Sequence, residues 1–469
     1  MNLTRRHLVL GTAASSLLAA CAMNPPSSQT ASTPAAAPAA PPIPIVFVHG
    51  NGDTAALWIT TIWRFESNGW PRERLHAVDF PYPLARDDDT KPQPGRSSTS
   101  ESMAYLAAEV DQVLAATGAA KVVLIGNSRG GNAIRNYIAN GGGAQKVSHA
   151  ILGGTPNHGV WAEPDRMPGN EFNGAGRFLS GLNAPKGPTG DEVTPGVLWL
   201  TIRSDNNDKY AQPDGVWIGR KGMPTNVSFD GPALKGAVNA VIPGIDHRET
   251  AFGPKAFEQA FSFITGKPPV SVGITPQAEV TLSGKLSGYG INNQEGSAAS
   301  NLPLVGAVVE VYSTDSDTGE RRPAAMLRQT IGEDGLWGPL TLSSAATLEF
   351  AITAPGYATT HIYRSPFPRS SNLVHLRAER ITEADKDAAA IVTLTRPRGY
   401  FGVPRDQISL DGKSPPAGVP SGVAGVSSVK LKLAEPVIRT VIGEFNGERI
   451  VGRSWPAVPD QVVLLELTF

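Results

Sequence analysis

One pentapeptide, Gly126-Asn127-Ser128-Arg129-Gly130, carries residues suited to nucleophilic chemistry. It directly follows the apolar run 122–125 and precedes a segment of helical spacing. A serine on a sharp strand-to-helix turn is lifted clear of the chain. The positions two before and two after it must lack side chains for that turn to close. The chemistry is attack by a hydroxyl on a carbonyl. It requires a general base, an acid to orient that base, and N–H donors for the developing oxyanion. The backbone N–H of Arg129, next to the nucleophile, is one expected donor.

The base is found by elimination among the eight histidines. His7 lies at the N-terminus, and His361 and His375 lie in the C-terminal half. His76 and His149 sit beside or within strand-like runs, and His49 opens a loop. His158 precedes any candidate acid. His247, in Ile245-Asp246-His247-Arg248, follows the strand-like run 237–242 and precedes a helix, where the base of a nucleophile–acid–base order belongs. The acid is expected after strand 198–204, where Asp205-Asn206-Asn207-Asp208 offers Asp205 or Asp208.

These residues need a scaffold. From 43 to 267, short apolar runs (43–48, 75–80, 121–126, 146–153, 197–203) alternate with helical segments (100–116, 130–139, 255–264). That alternation predicts a mostly parallel sheet flanked by helices, with the serine at its carboxyl edge. After Lys267-Pro268-Pro269 the rhythm changes to short alternating strands such as 307–312, 347–352 and 462–469, an all-β half of one or two sandwich-like domains. An insertion between Gly159 and Gly196 carries Trp161, Phe172, Phe178, Leu179 and Leu182. It reads equally as a cover over an apolar substrate or as an excursion packed on the sheet.

Composition narrows the classes. Across 469 residues, Lys+Arg 41 against Asp+Glu 42 leaves a net charge of −1, giving no electrostatic case for nucleic acid. The one cysteine excludes an intrachain disulfide and a cysteine-based metal cluster, and the chemistry above calls for neither cofactor nor metal. That cysteine, Cys21, ends an N-terminal segment in which Arg5-Arg6 precedes the apolar stretch 8–20, too short for the ~20 residues of a bilayer span. The segment resembles a twin-arginine export signal, and Leu18-Ala19-Ala20-Cys21 resembles a bacterial lipobox. The resemblance implies acylation of Cys21 and an exported periplasmic or cell-surface lipoprotein. Ala22 after the cysteine points to the outer membrane. Residues 24–42, rich in Pro, Ala, Ser and Thr, read as a tether. The expected division is 1–20 signal, 21–42 tether, 43–267 catalytic domain, 268–380 β-sandwich and 381–469 a second β segment or domain.

His49-Gly50-Asn51-Gly52 resembles the oxyanion loop of lipases and esterases, which makes the Asn51 N–H the second donor. Gly154-Thr155-Pro156-Asn157-His158-Gly159 matches a loop common in that group, where the histidine is not the base. Asp208 followed by Gln212-Pro213 fits the group's acid better than Asp205 does. Together with Ser128 and Asp246-His247, these pieces identify residues 43–267 as similar to an α/β-hydrolase of the bacterial lipase and esterase type. One position departs, since lipases often have His where this chain has Asn127. The β half resembles a transthyretin-like or carboxypeptidase-regulatory module over 270–377, and the overall layout resembles an archaeal long-chain lipase with a C-terminal β domain. The resemblance implies ester hydrolysis by Ser128, Asp208 and His247 (Asp205 the alternative acid), on a hydrophobic ester or lipid. Polyester depolymerisation, amide hydrolysis and non-catalytic binding by an anchored protein are the other readings. The β half holds no triad member, so a chain ending near Lys267 is expected to keep activity on short esters.

Overall fold

The computed structural model describes residues 41–205, 207–223, 225–288 and 300–469. The expected signal and the expected acylation at Cys21 lie outside the described residues. The apolar runs of the first half form a six-stranded parallel sheet, in the order Leu75–Val78, Ile45–Val48, Val122–Asn127, Val147–Gly153, Leu198–Ser204, Val238–Ile242. The strands Ile45–Val48 and Val122–Asn127 are buried at every position, which is why they read as continuous rather than alternating apolar runs. Leu106, Val110, Ile134 and Tyr137, from helices Thr99–Thr117 and Arg129–Asn140, pack on one face. Phe257 and Phe261 of helix Pro254–Thr265 pack on the other.

Helix Ile59–Ser67 has no counterpart in the sequence expectations. Ile59, Thr60, Thr61 and Ile62 are β-branched and weak helix formers, so packing rather than propensity holds it. It is buried on two sides. Ile62 and Phe65 join the core beneath the parallel sheet, whereas Ile59 and Trp63 join the core of the β half. Trp63 Nε1 donates to Ser370 O at 2.9 Å, and Arg64 donates to Phe252 O and Val272 O, each at 2.9 Å. This helix is the joint between the halves.

The β half contains a seven-stranded sheet and two three-stranded sheets. The large sheet crosses the expected boundary at 380. Thr359–Arg364 pairs in parallel with Gln461–Glu466, whose other edge pairs with Ala390–Thr395. The stretch 381–469 therefore completes a sheet begun before it, and residues 42–469 form one compact unit.

Candidate active site

Ser128 stands between strand Val122–Asn127 and helix Arg129–Asn140 with φ 53° and ψ −121°, a strained conformation for a residue with a side chain. Its neighbours make the turn possible. A Cβ on Gly130 would lie 2.3 Å from Val48 O, and one on Gly126 would lie 2.8 Å from Gly131 N. Ser128 N donates to Gly153 O at 2.8 Å. Asn127 is fully buried, and its amide donates to Gly153 O, His247 O and Thr250 Oγ1 at 3.2–3.3 Å. The residue that departs from the common lipase pattern thus ties the serine turn to the histidine loop.

His247 Nδ1 meets Asp208 Oδ2 at 2.7 Å, both side chains buried. The other carboxylate oxygen of Asp208 accepts from Tyr210 N at 2.8 Å, and Gln212 Nε2 donates to the Asp208 carbonyl at 2.8 Å. A carboxylate accepts, so in the neutral ring Nδ1 carries the proton and Nε2 is free to accept one. Asp205 turns elsewhere, accepting from Ser204 Oγ, Asn207 N and Gly244 N. Ser128 and His247 line the same cavity, of about 200 Å³. Among the described residues no Ser128–His247 hydrogen bond is made, a contact that commonly tightens only with substrate.

Three other histidines have structural partners. His49 accepts from Phe80 N at Nε2 (3.1 Å), bonds Gly50 O at 2.9 Å, and is pushed down in pKa by burial. His158 meets Glu192 at 3.0 Å, and His361 meets Glu349 at 2.8 Å. Burial takes His375 down to about 4.

Asn51 lines the cavity with Ser128, its side chain accepting from Ala85 N at 2.7 Å. Arg129 opens its helix, so its N–H has no acceptor within that helix. The Arg129 side chain is buried and paired with Glu171 at 2.6 Å, and also donates to Pro83 O, Ser97 Oγ and Ser97 O. Burial raises the Glu171 carboxyl, with Arg129 opposing.

Glu171 belongs to the insertion, which divides between its two expected roles. Val160, Trp161 and Phe172 wall the cavity, while Leu179 and Leu182 of the short helix Arg177–Leu182 are buried. Ile218 and Val227 complete the apolar side, and Asp53, Tyr210 and Tyr400 form a polar side.

Tyr400 comes from the β half, a contribution the sequence reading missed. Lys209, next to Asp208, donates to Gly425 O at 3.2 Å and lies 4.1 Å from the Tyr400 ring centroid. Burial, with Arg248 assisting, takes the Lys209 ammonium down to about 8. Arg248 pairs with Asp53, which follows the loop 49–52, and stacks on Tyr400 at 4.9 Å. The available signal was compositional: 396–405 reads RPRGYFGVPR, three arginines and a tyrosine within a β half that otherwise shows no chemistry.

Residues 43–217 match the alpha/beta hydrolase fold family, and residues 278–381 match the lipase C-terminal domain family. Ser128 and Asp208 lie inside the first match, His247 between the two, and Tyr400 beyond both. Three solved structures are similar to parts of this chain. Lipase BlEst2 of Bacillus licheniformis is 20% identical over 50% of this chain and 96% of its own, with a TM-score of 0.36. Lipase B of Aspergillus fumigatus is 16% identical over 49% of this chain and 54% of its own, with a TM-score of 0.34, so this chain spans about half of that lipase. Carboxylesterase CesB of Bacillus subtilis is 16% identical over 48% of this chain and 85% of its own, with a TM-score of 0.26. The six-stranded parallel sheet and the serine turn thus belong to a region whose residues 43–217 match the alpha/beta hydrolase fold, and the β half that follows matches the lipase C-terminal domain over residues 278–381.

Proposed function

We propose that the chain is a serine carboxylic-ester hydrolase of the lipase and esterase type, working through an acyl-enzyme. The observation that carries this reading is the 2.7 Å contact of His247 Nδ1 with Asp208 Oδ2, in a cavity that His247 shares with a strained Ser128. His247 Nε2 takes the Ser128 proton as the hydroxyl attacks the ester carbonyl. Asp208 holds the imidazole tautomer and stabilises its cation, while the Asn51 and Arg129 N–H groups receive the oxyanion. Collapse of the tetrahedral intermediate expels the alcohol, which is protonated by His247. Water, activated by the same base, then releases the acid. No step requires a cofactor. Val160, Trp161, Phe172, Ile218 and Val227 suit an apolar group of the ester.

The test is hydrolysis of a soluble nitrophenyl ester, with labelling by a fluorophosphonate. Ser128→Ala is expected to lose on the order of 10⁴-fold or more in turnover and all labelling. Near-normal hydrolysis by that variant would falsify the assignment.

Export and anchoring through acylated Cys21 are part of the same proposal, supported by Arg5-Arg6 and Leu18-Ala19-Ala20-Cys21. Cys21→Ser is expected to leave the membrane fraction, and unchanged fractionation would refute the anchor.

A further inference from the structure

The loop carrying His247 is gripped by ion pairs from a segment outside both family matches. Asp246 and Glu249 form a reciprocal cap: Asp246 Oδ1 accepts from Arg248 N (2.8 Å) and Glu249 N (3.0 Å), and Glu249 Oε2 accepts from Asp246 N (2.7 Å). His247 sits inside this cap. The second Asp246 oxygen accepts from Arg396 Nη1 at 2.7 Å and from Tyr400 N at 2.9 Å. Arg396 Nη2 reaches Glu249 Oε1 at 2.7 Å, and Arg405 Nη1 reaches Glu249 Oε2 at 2.9 Å. Arg405 also lies 3.6 Å from Asp246 and is itself held by Asp406 at 2.8 Å. Asp246 is 0% exposed, and the Arg396 side chain is 4% exposed. Arg396 is fixed at its own end by Phe469 O (3.0 Å) and Tyr400 O (2.9 Å).

Asp246 and Arg396 lie so far from water that separating them leaves a buried charge uncompensated, and the partly exposed Glu249 and Arg405 extend the same pairing. The arrangement fixes the backbone on both sides of His247. The acid loop is held from the same segment, through a β-bridge between Asp208 and Ala424 and the Lys209–Gly425 contact.

We infer that Arg396, with Arg405, is a positioning residue for catalysis: the C-terminal β segment clamps the His247 loop and sets the imidazole against Ser128 and Asp208. This rests on the triad reading above. A misplacement of about 1 Å at a catalytic group costs roughly 10²-fold in turnover, and binding of a small substrate need not change with it.

The experiment compares the full chain with Arg396→Gln, Arg396→Lys and Arg405→Gln. Circular dichroism establishes folding. Fluorophosphonate titration counts reactive sites, and kcat and KM are measured on a short nitrophenyl ester. Arg396→Gln is expected to lose about 10²-fold in kcat per titrated site with KM within about threefold. Arg396→Lys, which keeps one charge but cannot span both carboxylates, is expected to recover part of that loss. Arg405→Gln leaves Arg396 on both carboxylates and is expected to fall about two- to tenfold. A folded Arg396→Gln whose kcat per titrated site stays within threefold of the parent overturns the inference, as does activity that drops only in proportion to the titratable sites. If Arg396→Gln does not fold, Arg405→Gln decides: a measurable fall in kcat per site at constant KM supports the clamp, and none rejects it. A parent that neither labels nor hydrolyses any ester defeats the triad reading instead, which separates the two failures.

Discussion

Ser128 is held by residues that neighbour it in the chain, whereas His247 and Asp208 are held largely by residues far away. The serine turn needs Gly126, Gly130 and Gly131, the strand before it and the helix after it, all within 122–140. A Cβ at Gly130 would strike Val48 O and His49 O at 2.3 and 2.5 Å, and Ser128 N donates to Gly153 O, so its main long-range constraints come from the two strands beside its own. The histidine loop depends on Arg396 and Arg405, the acid loop on contacts at Ala424 and Gly425, and the rim on Tyr400. A nucleophile elbow is a local conformational solution. The loop of the proposed base takes buried partners from the segment 396–405. The C-terminal β half therefore builds the site as well as adjoining it.

After the serine, the proposed acid gives the largest expected effect. Asp208→Asn favours the wrong imidazole tautomer and is expected to lower kcat by roughly 10³–10⁴-fold, while Asp205→Asn stays within about tenfold. The reverse ranking, read from ester kinetics of folded variants, would move the acid to Asp205.

Removing the remote support comes next. The sequence alone led to the expectation that a chain ending near Lys267 keeps short-ester activity. The contacts from 396–425 to the histidine and acid loops argue for a different outcome, because that chain loses all of them. A loss of about 10²-fold or more per folded molecule is expected on a short soluble ester. Retained short-ester turnover in a folded truncation would show that the two arms are equally local.

On the serine side, Arg129→Gln leaves Glu171 buried without its cation, at a cost of about 3–5 kcal/mol in stability. The covering segment around Phe172 should loosen. KM on an apolar ester is expected to rise about tenfold, with kcat much less affected. Equal KM values for parent and variant would detach the insertion from substrate binding.

The smallest expected effect concerns pH. Burial pushes the Glu379 carboxyl up to about 7, against Arg377 and Lys430. Glu379 lines the cavity between the β half and residues 52–57. The fold binds this proton more tightly than the unfolded chain, so its contribution is full below about pH 4.5 and is lost as pH rises through about 7. Glu379→Gln should melt a few degrees above the parent at pH 8 and near it at pH 4.5. His375, lowered to about 4, slopes the opposite way in both proteins and cancels in the comparison. Parallel melting curves across this range would remove Glu379 as a source of pH sensitivity at the joint.

The sequence by itself determined the parallel sheet, the serine turn, the two candidate acids and the single histidine placed to follow them, because each depends on local periodicity, a glycine requirement or chain order. Element ends shift mostly by a residue or two, as with the helix expected at 100–116 and found at Thr99–Thr117. Helix Ile59–Ser67 escaped, since its β-branched run carries no helical preference and two separate cores impose its conformation. The resemblance already favoured Asp208, which the structure places against His247, while only the tertiary structure decided that Arg129 and Glu171 pair across the insertion and that Arg396, Tyr400 and Arg405 reach the site. These are pairings of charge and hydrogen bond across tens to hundreds of residues. Their strength comes from burial, and burial is a property of the packed chain that no local spacing encodes.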